Sequence, residues 1–332
     1  VSDGHAKKES MEKESRMRSV LLGLAYGDAF GYPLENYRYS QLTAQRCEPP
    51  IKLIVSDDTQ MTLSLVDALD GRTGRDEIQQ AVIDGWIRWF HDPDARGWGQ
   101  TTITAINRLD NGLPWYEATV PDGEACGAVM RVAGCAWLPD GVWQPTAAWQ
   151  AATTHGGFAA IASAVVATAV LREALSADQP LSALEAAIRC TQDEGLVRGA
   201  AGWLAEHPSA GSVDAAEQHL GEGMATLRVA LIRAADCLDG FKKKPWGADP
   251  SSPEFGGQGW LAVDALACAL LCVDMLPGAP LEALRRATVT GGDSDTIGAI
   301  TGMFLGAIYG DVWPKEWADR LEIRYLKQIE RR

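Results

Sequence analysis

Several features that mark large protein classes are scarce in this chain. Alternating β-branched and aromatic runs bounded by turn residues reduce to Ile51–Val55 and Thr288–Thr290, which excludes the strand–helix alternation of a parallel α/β sheet. Positive charge is also short: 30 Lys plus Arg face 44 Asp plus Glu, a formal charge of −14. That balance disfavours a nucleic-acid partner and a polybasic membrane anchor. The one basic run, Lys242–Lys244, lies in a Pro- and Gly-rich stretch and reads as a solvated loop. Paired cysteines are missing. The seven cysteines are odd in number and form no Cys-x-x-Cys motif, which suits free thiols in a reducing compartment. Cys268 and Cys272, on an apolar segment, read as small hydrophobes rather than soft-metal ligands. No apolar run reaches the ~20 residues needed to span a bilayer. Phe158–Leu171 falls short and reads as a buried helix, as does Leu261–Leu276, so no membrane partner is expected. Residues 1–16 are rich in Lys, Glu and Ser without the apolar centre of an export signal, and a cytoplasmic location is expected.

What is present is helical spacing. Met61, Leu65, Ala68 and Leu69 recur at one face, as do Ile78, Val82, Trp86 and Trp89. The chain is expected to be all-α, with loops near 91–100, 110–124, 138–146, 205–213 and 240–259. One helical domain over 17–325 is expected, preceded by a flexible charged tail, or the solvent end of the first helix, over 1–16. Glycines repeat every fourth residue at Gly23, Gly27 and Gly31, and again at Gly298, Gly302, Gly306 and Gly310. Residues four apart share a helix face, and each interior glycine costs ~1 kcal/mol relative to Ala. The repeats therefore predict close helix-to-helix packing that also brings the polar ends of these helices together.

Those polar ends are Ser56–Asp57–Asp58–Thr59, before a helix expected to begin near Gln60, and Asp293–Ser294–Asp295–Thr296, opening the second glycine-striped helix. Helix capping accounts for one such residue per helix, and Asp57 with Gln60 has capping-box spacing. Two acids within four residues at each of two helix starts exceed what a cap needs and point to a shared cation. Carboxylate and hydroxyl oxygens suit magnesium, manganese or calcium rather than zinc. An Asp-x-Asp sugar-transferase motif or a phosphatase loop would need strand ends that this sequence does not supply.

Gly27–Glu35 (GDAFGYPLE), Ser56–Leu63 (SDDTQMTL), Cys126–Ala133 (CGAVMRVA), Thr154–Gly156 (THG) and Gly291–Gly302 (GGDSDTIGAITG), in this order, resemble the successive motifs of the ADP-ribosylglycohydrolases. The resemblance spans about residues 18–320. It implies a single large orthogonal helical bundle with a binuclear metal site in a central cleft, holding two Mg2+ (or Mn2+). The reaction it implies is hydrolysis of the glycosidic bond between ADP-ribose and a protein side chain. It makes Ser56, Asp57, Asp58, Asp293, Asp295 and Thr296 metal ligands, with Asp295 bridging. Ser56 stands where the family usually has Thr, and the hydroxyl is retained. Glu35 and Asp58 become the catalytic acids. Gly97, Gly123, Glu124, Cys126, Gly127, Met130, His155 and Gly291 fall in the segments that wrap the diphosphate and sugars. Gly157–Phe158 departs from the His-Pro continuation of many relatives.

The chemistry of these residues agrees. Paired hard cations can hold vicinal ribose hydroxyls while carboxylates stabilise a developing sugar cation. Glycine-rich backbone at 123–128 and 291–292 suits a diphosphate. Trp98, Phe255 and Trp260 offer faces for an adenine, and Arg131 reads as a structural ion-pair partner. The expected substrate is an ADP-ribosylated protein, arginine-linked by preference, and the product ADP-ribose. The alternative is an immunity protein that neutralises an ADP-ribosylating toxin by binding it, with residues 1–16 as the contact.

Overall fold

The computed structural model describes residues 2–42, 48–177 and 181–332, with side chains from residue 13 onward. Cys47 lies outside the described residues. The first long helix, α1 (Ser2–Gly31), runs through the charged N-terminal segment; its side chains over 13–18 are exposed or half-buried, and burial begins at Ser19. A 3-10 turn (Tyr32–Leu34) leads to α2 (Tyr39–Leu42), α3 (Asp57–Leu69), α4 (Arg75–Phe90), α5 (Gln100–Asp110) and α6 (Trp115–Ala118). Two further 3-10 segments, Cys126–Ala128 and Val132–Trp137, precede α7 (Trp143–Ala152), α8 (Phe158–Ser176), α9 (Ala183–Cys190) and α10 (Glu194–Ala201). The rest is α11 (Val213–Lys243), α12 (Ala262–Met275), α13 (Pro280–Thr288), α14 (Ser294–Tyr309), α15 (Lys315–Ala318) and α16 (Ile323–Ile329).

The all-α expectation holds, and no strand forms among the described residues. Ile51–Val55 contributes one isolated bridge, Leu53 to Leu321, and Thr288–Thr290 contributes none. A short β-prone run without a partner strand has no ladder to join. Lys242 and Lys243 form the last turn of α11 rather than a loop, where their charges complement the helix dipole. The spacing of apolar residues survives in detail: Met61, Leu65, Ala68, Ile78, Val82 and Trp86 are all buried, and buried apolar side chains from Val20 to Ile329 form one cluster.

Helix α8 is long and apolar enough to cross a membrane by composition, yet 67% of it is buried inside the protein. It packs against α7, α9 and α11, which is where its hydrophobic surface goes. The six described cysteines are free.

The two glycine stripes meet each other. Helices α1 and α14 run antiparallel, with Gly31 against Ser294, Gly27 against Gly298, and Gly23 against Gly302. A methyl group built on Gly27 would collide with the carbonyl of Gly298, and one on Gly302 with the carbonyl of Gly23. The missing side chains thus permit backbone contact, and that contact sets the C-terminal end of α1 beside the N-terminal end of α14.

Candidate active site

Two helix starts converge at this junction. Ser56 is the N-cap of α3, and its hydroxyl accepts from Asp58 N at 3.2 Å. Asp57 and Asp58 therefore form the first helical turn, three residues earlier than the apolar spacing alone suggests. Gln60 takes no part in a capping box. Its side chain instead donates to Tyr325 Oη (2.6 Å) and the Asp94 carbonyl (2.8 Å) and accepts from Trp89 Nε1 (2.9 Å). At α14, Asp293 is the N-cap and Asp295 Oδ1 accepts from Thr296 N at 3.1 Å. The clusters touch: Thr296 Oγ1 donates to Asp58 Oδ2 at 3.3 Å, across 238 residues of sequence. The six proposed metal ligands are thus brought to one place.

Asp28 is a participant that motif reading passed over. It is fully buried on α1, and its carboxylate accepts from Ser56 N (2.9 Å), Thr59 N (3.1 Å) and Thr59 Oγ1 (2.5 Å). It holds the start of α3 from a neighbouring helix. A charge between Gly27 and Gly31 in the otherwise apolar C-terminal part of α1, from Ser19 to Gly31, was the available signal.

Electrostatically the site is under-compensated. Among the described residues no cation lies within ion-pair distance of Asp57, Asp58, Asp293 or Asp295. Asp58 Oδ1 is buried with no hydrogen-bond partner. Burial, followed by repulsion from Asp295, raises Asp57, Asp58 and Asp293 well above the usual carboxylate range. The same two causes push Asp28 and Glu35 up to about 7. Asp295 itself is raised by burial. It is the one acid whose charge bears on all the others, as a central ligand would.

Glu35 follows the 3-10 turn after α1, half-buried, with ligand oxygens of Glu35, Asp293 and Asp295 all within 4.8 Å of one another. Cys126 abuts the same cluster, its thiol donating to Asp293 Oδ2 at 3.0 Å. Gly97 has φ +70°, and any side chain there would collide with the Asp57 carboxylate, so this loop closes directly over the first cluster. Gly259, at φ +87°, does the same on the second: a Cβ would lie 3.0 Å from Asp293 Cβ. Gly259 carried no sequence signal of its own.

Other residues assigned to substrate contact also make contacts within the protein. Glu124 accepts from Ala160 N at 2.7 Å and so caps α8, whose N-cap Gly157 has no side chain to do it. Met130 is buried in the apolar cluster. Gly291 N donates to Asp249 Oδ2 and Ser251 Oγ, both at 3.1 Å, so its N–H is not free for a diphosphate. Gly123 and Gly127 are buried against His155: a Cβ on Gly127 would lie 2.9 Å from His155 Cε1, and one on Gly123 3.3 Å from His155 Cα. Phe255 is partly buried and packs edge-on against Phe241 (centroids 5.2 Å apart), whereas Trp98 and Trp260 are about half exposed. Arg131 is buried without a carboxylate partner. It donates to Gln150 Oε1 (2.8 Å), the Gln150 carbonyl (3.0 Å) and Thr154 Oγ1 (2.6 Å), and lies 4.1 Å over the Trp86 ring. The expected ion pair is replaced by neutral acceptors and an aromatic face.

An all-α fold with two acidic helix starts facing each other, a buried carboxylate oxygen without a donor and glycine loops closing over both clusters makes an acid-lined site suited to a hard cation. The pattern of the ADP-ribosylglycohydrolase family matches residues 9–332. The chain belongs to the ADP-ribosylglycohydrolase family and is an enzyme that hydrolyses ADP-ribosyl linkages. It is 27% identical to the uncharacterized protein YegU of Escherichia coli (strain K12), over 90% of this chain and 89% of that one. It is 26% identical to ADP-ribosylarginine hydrolase Tri1 of Serratia proteamaculans (strain 568), covering 94% and 76%. Human ADP-ribosylhydrolase ARH3 is 25% identical over 93% and 89%. A solved structure described as an ADP-ribosylglycohydrolase-related protein complex superimposes with a TM-score of 0.63 at 26% identity, covering 96% of this chain and 97% of that one.

Proposed function

We propose that the protein releases ADP-ribose from arginine side chains of modified proteins, using two Mg2+ ions held by Ser56, Asp57, Asp58, Asp293, Asp295 and Thr296. The observation that carries the metal reading is the buried Asp58 Oδ1, left without a donor among carboxylates that raise one another. A protein that needed only helix caps would gain nothing from it. Bound divalent ions supply Lewis-acid polarisation and a hold on vicinal ribose hydroxyls. The chain's own residues do the remainder. Gly97 and Gly259 let backbone approach the acids closely, and Glu35 stands where it can accept a proton or a ribose hydroxyl.

The arginine linkage is supported by the name of the Serratia relative; the human relative's name specifies no acceptor side chain. Incubation with arginine- and serine-linked ADP-ribosyl proteins, with and without Mg2+, and mass spectrometry of released ADP-ribose, tests both parts. Release from arginine alone, abolished by chelation, is expected. Release from serine, or release indifferent to chelation, overturns the corresponding half. Free thiols at all six described cysteines support a cytoplasmic location. A toxin-binding role would use the exposed end of α1 around Lys13–Arg16, and deletion of residues 1–16 separates it from catalysis: hydrolysis should persist while toxin binding weakens.

A further inference from the structure

We propose that Arg131, acting through the Thr154 hydroxyl, holds His155 as the neutral imidazole protonated on Nε2, so that the cleft is given a hydrogen-bond donor and not a base beside Gly127. This rests on the reading of His155 as a substrate-binding group. The chain of contacts is short. Thr154 Oγ1 lies 2.6 Å from Arg131 Nη2 and 2.7 Å from His155 Nδ1. A guanidinium has donors only, so the hydroxyl must accept from Arg131. Its single proton then has one neighbour left that can accept, His155 Nδ1, and an accepting Nδ1 bears no proton. The remaining N–H of a neutral imidazole is on Nε2.

The opposite tautomer fails on satisfaction. With a proton on Nδ1, the hydroxyl would accept twice and its own O–H would have no acceptor, in a residue that is fully buried. A buried unmade hydrogen bond is costly. The imidazolium fails on charge: burial, with the Arg131 charge behind it, holds His155 well below its ordinary pKa. Arg131 is pushed down by burial only to about 9 and stays charged at neutral pH.

Every member is fixed by something else. Arg131 is clamped by both oxygens of Gln150 and by the Trp86 ring. The His155 backbone donates to Ala151 O at 2.8 Å and pairs with Val120. On the far edge of the ring, Nε2 makes no protein hydrogen bond among the described residues. His155 is buried, and a Cβ on Gly127 would lie 3.1 Å from Nε2 and 3.0 Å from Thr102 Oγ1, so the glycine leaves space beside this edge that a side chain would fill. An Nε2–H there suits an oxygen acceptor, a phosphate or ribose oxygen of ADP-ribose. Arg131 and Thr154 are positioning residues, and His155 keeps its proton throughout.

The test is imidazole nitrogen NMR on the full chain labelled with nitrogen-15 histidine, with His155→Gln identifying the signal among the five histidines. The expected wild-type pattern is one protonated and one bare ring nitrogen with hydrogen on Nε2, unchanged between about pH 6 and 8. Thr154→Val should mix the tautomers and weaken ADP-ribose binding about tenfold, raising KM with little change in kcat. Thr154→Ser should restore both. A wild-type Nδ1–H or imidazolium pattern overturns the proposal, and so does a folded Thr154→Val protein with an unchanged tautomer. If Thr154→Val does not fold, the wild-type spectrum alone decides. An Nε2–H tautomer in a protein whose His155 signal ignores ADP-ribose overturns the substrate-binding role and leaves the hydrogen-bond assignment standing.

Discussion

Asp274 and Asp58 are both buried carboxylates at helix starts, and the protein treats them in opposite ways. Asp274, near the end of α12, accepts from Ser182 Oγ, Ala183 N and Leu184 N, each at 2.9 Å, and so satisfies the first turn of α9. Asp58 receives Thr296 Oγ1 and Ser56 Oγ on one oxygen, at 3.3 and 3.2 Å, and nothing on the other. The buried arginines belong with Asp274. Arg286 donates to the carbonyls of Pro245, Val289 and Ala248, each at 2.6 Å, and faces the Trp246 ring at 4.9 Å. Where a buried charge is structural, this chain surrounds it with neutral dipoles. In the acidic cluster around Asp58 it leaves the charges facing their own kind. The difference separates a cap from a ligand more sharply than residue type or spacing can.

The largest effect should come from the centre of the deficient cluster. Asp295→Asn keeps the shape and an acceptable helix-start residue but removes the charge that bears on Asp28, Glu35, Asp57, Asp58 and Asp293. Hydrolysis should fall by about 10³-fold or more, together with metal affinity. The metal-free variant should melt no lower than the metal-free wild type, because a repulsive charge has gone. Activity and calorimetric metal titration measured side by side check this. A variant that loses activity with metal binding intact would break the link between the missing partner and the cation.

Glu35→Gln comes next. The side chain keeps its hydrogen-bonding shape and loses its basicity, so turnover should drop by about 10²-fold, with ADP-ribose affinity changed far less. Its oxygens lie near those of Asp293 and Asp295. The same calorimetry therefore distinguishes the two jobs open to it: an unchanged metal stoichiometry assigns proton transfer, and a lost ion makes it a ligand. On the other side of the comparison, Asp274→Ala removes the acceptor of three satisfied donors at the start of α9, outside the acidic cluster. It should destabilise by about 2 kcal/mol in denaturant unfolding while leaving metal binding alone. A variant as stable as wild type would show that Asp274 contributes no more than a solvated cap.

How much of this was legible depended on how local the physics is. The four-residue repeat of Gly23, Gly27 and Gly31 against Gly298 and Gly302 could be read because a helix face is a local property, and the placing of the end of α1 beside the start of α14 followed from it, whereas the start of α3 is brought there by Asp28. The acids themselves stood in two short motifs. Asp28 escaped because its partners, Ser56 and Thr59, lie 28 and 31 residues away and the bonds run between helices. The structural contacts of Glu124 and Gly291 were hidden for the same reason in reverse. Both sit in motif segments, but the donors and acceptors that engage them, Ala160, Asp249 and Ser251, come from elsewhere in the fold. The ion pair expected of Arg131 fails because a ring face and amide oxygens can hold a guanidinium, and sequence does not announce them.

The smallest effect carries the clearest sign. In the metal-free protein, burial and mutual repulsion place Asp28 and Glu35 at about 7, against about 4 for such groups in an unfolded chain. The folded state then binds more protons than the unfolded state across that interval. Stability is fully present below about pH 4 and is lost as pH rises through about 7. His155 and His207 act in the opposite direction: both are lowered by burial, His207 to about 4, so their contribution is lost as pH falls below about 6.5. Above that pH the histidines are neutral in both states and the site acids stand alone. Between about pH 6.5 and 8 the chelated protein should therefore lose a few degrees of Tm. Mg2+ should restore them, by an increment that grows with pH as the cation takes the place of departing protons. Asp295→Asn should flatten the slope, and Asp274→Ala should shift the curve down without changing it. A metal-free Tm that rises across this window would mean that the acids are satisfied by the protein after all, and Asp58 would then belong with Asp274.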